Sequence, residues 1–562
     1  MVTRSLALFA SEKRAVLVLG LVVSTVAFMA MRALSPSFLR KVLQSKALIR
    51  ALCGLFLAAY LVVLGFSTTY AGFLTSTEPQ VASVAFRWLK GAPLYHDLTS
   101  AQRYSLGTYG PMVYLPYALA LRVLGAHVLS LRLVVLLTNL CLFLLLWKCY
   151  RQLLEPHETW VLIVAVLVYL LNSTIYNFQI RGDLPLVVLA AFGLWAVLNR
   201  SVALGAVLLA LACGLAFDIK VTAPLYFLPL YVLLMKRHGW RPAALAAVGA
   251  GACALVPFSL PGISPVAYLR WLLQTSHQPV LVPGELGREL KTFLFLIAPL
   301  ALLCWTLGRR SLHSLMEYLR ENRAFLLTFG LCFAALALAA SKIGSGPHHF
   351  MPYYPLAGYV AGGLYVRSKK ELSASRSAQP LSFVPLFWVW FAIALAVQVG
   401  SDSFPDVSRL FHSRWEALAV TSDLDVLMKE YPGIPMEMGY GESDLASRLS
   451  GYRPLLVFAG NPYTLDTAAL DDMQLSGLEI PSSTLDYLHS CRTQIWLIPN
   501  GEQPFETQNS YSLVDSRLFP PRSLFSDDFR RTFLEQYRKR ESTKYFDVWQ
   551  CQTDSRTVGS KR

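Results

Sequence analysis

The chain has 562 residues, 54% of them hydrophobic and only 15% charged, with a mean hydropathy of +0.45. A soluble domain carries about 25% charged residues, and here the apolar residues gather in windows of about 15–20, the length of a bilayer crossing. A purely soluble enzyme, a disordered chain and a disulfide-rich secreted scaffold are thereby excluded. The net charge of +15 arises from 50 Lys and Arg against 35 Asp and Glu. In a soluble protein that surplus points to nucleic acid. Here the cations punctuate the ends of apolar windows, as the positive-inside rule requires, and no basic-aromatic module accompanies them. No nucleic-acid partner is expected.

Apolar windows predict membrane spans near 15–33, 49–67, 128–147, 159–175, 184–198, 202–217, 222–235, 242–260, 291–307, 325–341, 350–367 and 381–400. Lys13 and Arg14 precede the first in the manner of a signal peptide. Met29, Met31 and Arg32 make a poor small-residue cleavage site, so it is read as an anchor. The expected fold is an all-α polytopic membrane bundle of about twelve helices plus juxtamembrane helices. It occupies 1–400, with a first outer loop over 68–127.

Within that loop, Val81–Lys90 reads as an amphipathic helix, and the Pro-interrupted segment 110–124 is too short to span, which fits a helix in the interface. With 110–124 kept on the outer side, Lys148/Arg151, Arg200, Lys236–Arg241, Arg309–Arg323 and Arg367–Arg376 all fall inside. The basic N-terminus alone fits this assignment badly. Beyond 400 the composition changes, and strands alternate with helical stretches. Pro454–Phe458, Gln494–Ile498 and Tyr545–Trp549 read as strands, and Ser526–Arg538 as an amphipathic helix. A soluble extracytoplasmic α/β domain is expected over 401–562. Its two cysteines, Cys491 and Cys551, are free to pair if that region lies in an oxidising compartment.

Ionisable groups at membrane boundaries are costly and therefore candidates for function. Glu78 stands at the start of the amphipathic helix, either as a helix-start charge or as a general base just above the bilayer. Asp183 is open to the same two classes of reading, first-turn helix stabiliser or wall of a polar cavity shared with Arg181. Asp218 and Lys220 occupy a tight turn between spans, where they satisfy each other or leave Lys220 to hold a phosphate. Lys342, His348 and His349 surround a Gly-rich turn suited to an anion, without P-loop spacing. No CxxC or His-rich spacing indicates a metal site. No cofactor is identified, and nothing in the sequence supports a divalent cation.

The order of these pieces resembles the GT-C type of membrane glycosyltransferase, nearest to its bacterial protein-mannosyltransferase-like and aminoarabinose-transferase-like branch. The resemblance covers roughly 49–400. It is carried by Glu78 with the helix Val81–Lys90, then Gly91 and Tyr95. Tyr109-Gly110-Pro111…Tyr114-Leu115-Pro116 and Leu131-Arg132-Leu133 follow. Tyr176–Pro185, Lys220 after Gly214-Leu215-Ala216, and Ser341-Lys342…His348-His349…Tyr354-Pro355 complete the series. Many relatives carry Asp-Glu where this chain has Thr77-Glu78.

What the resemblance implies is inverting single-displacement transfer of a sugar from a polyprenyl-phosphate-linked donor on the extracytoplasmic side. It assigns catalysis to Glu78 and Asp183, and donor phosphate to Arg181, Lys220, Lys342, His348 and His349. Asp97, Tyr109 and Tyr114 become substrate contacts. The partners implied are that donor, an acceptor of unread identity (lipid, glycan or protein) and the bilayer itself, in a bacterial inner membrane with site and C-terminal domain outside. Rival readings are a transporter or flippase of a lipid-linked or polar solute, and a polysaccharide polymerase or ligase. A transporter predicts paired halves with broken helices at mid-membrane, and no internal repeat is visible.

Overall fold

The structure, a computed structural model, describes residues 45–96, 109–172, 177–276, scattered positions from 282 to 308, 311–342, 345–374, 410–480, 483–509 and 521–552. The expected spans near 15–33 and 381–400, and most of 291–307, lie outside the described residues.

The chain begins with α1 (Lys46–Thr68), whose N-terminus is capped by the Ser45 hydroxyl, and continues into α2 (Thr77–Leu89). A 3₁₀ turn (Pro111–Val113) then leads to α3 (Leu115–Leu124). At about 15 Å, α3 is too short to span, and Leu119, Val123 and Leu124 on it are exposed, as an interfacial helix requires. The bundle proper follows as α4 (Val128–Tyr150), α5 (Pro156–Asn172), α6 (Asp183–Leu198) and α7 (Val202–Phe217). Next come α8 (Pro224–His238), α9 (Trp240–Leu255) and α10 (Pro265–Ser276). The last membrane-region helices are α11 (Leu312–Glu321), α12 (Arg323–Ala340) and α13 (Tyr354–Ala374), with a second 3₁₀ segment (Pro347–Tyr353) before α13.

Four described segments are long and apolar enough to cross a membrane alone: Arg50–Thr68, Val128–Tyr150, Trp240–Ser259 and Arg323–Ala340. Leu137, Leu144, Val207, Leu245, Val248, Leu327 and Leu331 are exposed on helix faces, which only a lipid environment makes inexpensive. The inner faces meet in one core containing Leu142, Leu146, Leu194, Val197, Leu209, Phe227 and Leu230, all fully buried. Small residues set the closest helix contacts. A Cβ at Gly214 of α7 would stand 2.5 Å from the Cys253 Cβ of α9, so the two helices pack backbone to backbone.

Helices α6 and α7 have 16 residues each, about 24 Å against a hydrocarbon thickness of about 30 Å. The polar turns at their neighbouring ends, Arg181–Asp183 and Asp218–Lys220, are buried or nearly so.

The C-terminal region holds α14 (Arg414–Glu430), β1 (Met436–Met438), α15 (Asp444–Ser450), α16 (Arg453–Phe458), α17 (Thr467–Leu475) and α18 (Ser483–His489). It ends with β2 (Ile495–Pro499), α19 (Asp527–Gln536), β3 (Tyr537–Ser542) and β4 (Phe546–Cys551). The sheet runs β1-β2-β4-β3, with β1 parallel to β2 and the other pairs antiparallel. Alternation along β2 explains its two-sided burial. Trp496 and Ile498 enter a core with α17, α18 and α19, while Ile495 and Leu497 enter another with α14, α15 and α16. The region is therefore α/β, as the sequence indicates.

One expectation is corrected. Pro454–Phe458 is not a strand but the body of α16. A short apolar run has no periodicity to separate strand from helix, and Pro454 in the first turn with Gly460 in the left-handed region after the end favour the helix. Cys491 and Cys551 form a disulfide that ties the turn after α18 to the end of β4.

Candidate functional site

Glu78 lies in the first turn of α2 and is fully buried. Arg132 of α4 grips it with two parallel hydrogen bonds, and the backbone N–H groups of Leu74 and Ile180 donate to the same two oxygens. The guanidinium also donates to the carbonyls of Gly72 and Phe178. One ion pair thus staples three backbone segments, 72–74, 178–180 and the start of α2. The sequence leaves Glu78 between helix-start charge and free base. Its oxygens accept four hydrogen bonds in a dry setting.

Directly after Ile180 in sequence, the Arg181–Asp183 turn opens α6. Asp183 is buried and gathers three partners from separate elements. Lys220 Nζ stands 2.9 Å from Oδ1, Arg181 Nε 2.9 Å from Oδ2, and His348 Nε2 3.9 Å from Oδ1. Among the described residues two fixed cations stand against this one carboxylate. His348 is buried, and that burial holds its imidazole well below the usual histidine range, so it is neutral near pH 7. His349 shifts the same way for the same reason, and its carbonyl accepts from Tyr226 Oη at 2.9 Å.

Glycine lets the backbones converge here. A Cβ on Gly110 would lie 2.0 Å from the Asp218 carbonyl oxygen, and one on Gly182 would lie 2.7 Å from Ile219 Cγ2 and 2.9 Å from Val113 Cγ2. Gly110 N–H donates to Ile219 and Met112 N–H to Asp218. The 3₁₀ turn after Tyr109 is therefore pinned to the Asp218–Lys220 turn. Tyr109 Oη sits 3.4 Å from Arg181 Nη2, and its carbonyl accepts from Tyr95 Oη at 2.8 Å. Tyr114, one turn on, is buried in the wall behind.

Of the residues singled out in the sequence, Arg181, Asp183, Lys220 and His348 form one cluster, with Tyr109 at its edge. Lys342 is half-buried and makes no ion pair among the described residues. Asp97 lies outside the described residues. The expected alternative of an Asp218–Lys220 pair is corrected: Lys220 turns to Asp183, because both lie at the lip of the α6–α7 pair, and neither Asp218 oxygen has a partner. Arg132 was visible only as part of the resemblance, with no sign that Glu78 was its partner. Tyr268 of α10 carried no signal at all. Among the described residues the trio with metal-ligand spacing is Glu155, His157 and Glu158. Lys369 Nζ already meets Glu155 at 2.8 Å and Glu158 at 3.0 Å, so the trio is an ion-pair network.

The C-terminal region closes on this side of the bundle. Arg87 Nη1 of α2 donates to the Tyr463 carbonyl at 3.0 Å, Phe86 meets Phe458 edge-on at 5.3 Å, and Trp271 of α10 enters the sheet's core.

No protein-family model matches the sequence, and no curated protein matches it. Solved structures similar in fold include two of one protein. The crystal structure of ArnT from Cupriavidus metallidurans bound to undecaprenyl phosphate matches 88% of this chain and 97% of its own, with a TM-score of 0.53 and 16% identity. The apo crystal structure of the same protein gives 89%, 98%, 0.51 and 16%. The chain has the GT-C type of fold that its sequence resembles.

Proposed function

We propose that this protein is a membrane glycosyltransferase that moves a sugar from a polyprenyl-phosphate-linked donor to an acceptor on the extracytoplasmic side. The observation that carries the reading is the Arg181–Asp183–Lys220–His348 cluster at the ends of apolar helices. A lipid-linked donor holds its phosphate at the headgroup level and its tail among the helices. Its site therefore needs cations at the end of the bundle, preset by a buried carboxylate so that little reorganisation accompanies reaction. The likeness of fold to ArnT, which was crystallised with undecaprenyl phosphate, supports the same donor class. The Cys491–Cys551 disulfide supports an oxidising, extracytoplasmic location for the C-terminal region.

In this reading the transfer inverts the anomeric centre. The acceptor oxygen attacks opposite the phosphate, which leaves with the bonding pair. Arg181, Lys220 and Lys342 stabilise the negative charge on the departing phosphate, and neutral His348 and His349 supply N–H donors to it. Asp183 holds Arg181 and Lys220 at their spacing. Glu78 positions the same floor through Ile180, next to Arg181, and Tyr109 flanks the sugar with Tyr114 packed behind it.

The direct test incubates the purified full-length protein in lipid nanodiscs with radiolabelled undecaprenyl-phosphate hexoses and pentoses and a cell-envelope fraction as acceptor. Consumption of a donor with release of undecaprenyl phosphate is the expected result. Donors left intact in every combination overturn the reading.

A further inference from the structure

Asp218 is 1% exposed, yet neither of its carboxylate oxygens has a hydrogen-bond partner. Among the described residues every other buried carboxylate has one. Glu78 has Arg132, Asp183 has Lys220, Glu158 has Tyr365 and Lys369, and Glu437 has Thr464, Tyr487 and Thr493. Asp466 and Asp547 are bonded too, and Asp471 is not without a partner. An orphaned buried carboxylate costs several kcal/mol, so it calls for a reason beyond folding.

Its surroundings supply one. Asp218 belongs to the turn that ends at Lys220, whose Nζ is bound to Asp183, and its carbonyl receives Met112 N–H. Tyr95 and Tyr268, with rings 5.0 Å apart, both lie close enough to feel its charge, and after burial the Asp218 charge is what raises the Tyr268 hydroxyl. That hydroxyl is also buried and also has no partner. A carboxylate only accepts, whereas a phenol donates and accepts. A single hydroxyl arriving between them would satisfy both.

We propose that Asp218 is the proton acceptor for the attacking hydroxyl of the sugar acceptor, with Tyr268 completing its binding. This rests on the glycosyltransferase reading. The acceptor oxygen bonds to the anomeric carbon as the bond from that carbon to the phosphate oxygen breaks. The electron pair leaves on polyprenyl phosphate, and the hydroxyl proton passes to Asp218 and then to water. Burial pushes the Asp218 carboxyl up to about 7, where a base both exists at neutral pH and binds a proton usefully. The groups facing it are Tyr95 and Tyr268, while Lys220 in its own turn is engaged by Asp183. The sign follows: the reactive, ionised form grows as pH rises through about 7.

The test uses full-length Asp218→Asn and Tyr268→Phe in nanodiscs, with the same labelled undecaprenyl-phosphate sugars and undecaprenyl phosphate itself as binding probe. Asp218→Asn is expected to lower transfer at least ~100-fold. Undecaprenyl phosphate binding stays unchanged, and the unfolding temperature is unchanged or higher, because the amide removes a buried charge. Wild-type transfer rises across neutral pH, and Tyr268→Phe retains that limb at reduced rate. An Asn variant that keeps more than about a tenth of wild-type transfer overturns the assignment. So does a loss that merely tracks folded yield or phosphate binding. A wild type that consumes no donor overturns the glycosyltransferase reading itself, and this inference with it.

Discussion

Glu78 and Arg132 meet with Nη1 2.6 Å from Oε1 and Nη2 2.9 Å from Oε2, both side chains fully buried. The pair joins the start of α2 to α4 and to the turn before Arg181. Removing one partner leaves the other charge uncompensated in a dry interior. Glu78→Gln and Arg132→Met are each expected to cost about 3–5 kcal/mol, and the double variant less than the sum. Thermal unfolding of the four proteins in one detergent measures it. A Glu78→Gln protein that keeps its unfolding temperature while losing turnover would return Glu78 to proton transfer.

The Gly110 position makes a second demand on the same floor. A methyl group there would stand 2.0 Å from a backbone oxygen of Asp218, and a backbone atom cannot rotate aside as a side chain does. Gly110→Ala should cost about 1–3 kcal/mol as overpacking and shift the Asp218–Lys220 turn. Gly182→Ala meets only side-chain methyls of Ile219 and Val113, so it should cost less. Unfolding temperature and undecaprenyl phosphate binding measured together rank the two.

Much of this was readable in the chain. Long apolar windows have a single outcome in lipid, so α1, α4, α7 and α12 fall close to their expected bounds. Arg181, Asp183, Lys220 and His348 stand out in the sequence because charge at a span's end is expensive. What the sequence withheld was pairing. Whether Lys220 faces Asp218, two residues back, or Asp183, in the helix before, depends on how α6 and α7 lie side by side, which no local pattern encodes. The bond between Glu78 and Arg132 bridges 54 residues for the same reason. Pro454–Phe458 reads as a strand and folds as a helix because five apolar residues carry no period.

The C-terminal region bears on α2, the helix that carries Glu78. Phe458 packs edge-on against Phe86, and Arg87 reaches the Tyr463 carbonyl. Phe458→Ala is expected to cost about 2 kcal/mol, below the range for a fully buried Phe because Phe458 is only half-buried. Arg87→Ala should cost about 1 kcal/mol for the lost hydrogen bond. Hydrogen exchange then separates local from global effects. Faster exchange confined to α2 and α16 supports a clamp, and uniform change along the chain counts against it.

Lys220 and Lys342 divide the remaining question of phosphate binding. Lys220 is already bound to Asp183, whereas Lys342 has no ion pair among the described residues and is half-buried. Lys220→Ala therefore removes a charge-assisted hydrogen bond from a buried carboxylate and should cost about 1.5–3 kcal/mol of stability. Lys342→Ala removes a cation with no ion pair among the described residues, and its stability should stay within about 0.5 kcal/mol of wild type. Both variants should weaken undecaprenyl phosphate binding about tenfold, the equivalent of about 1.4 kcal/mol. Binding isotherms beside unfolding curves check each lysine. A Lys342→Ala protein that binds undecaprenyl phosphate as tightly as wild type would remove that lysine from the site and leave Lys220 and Arg181 to hold the phosphate.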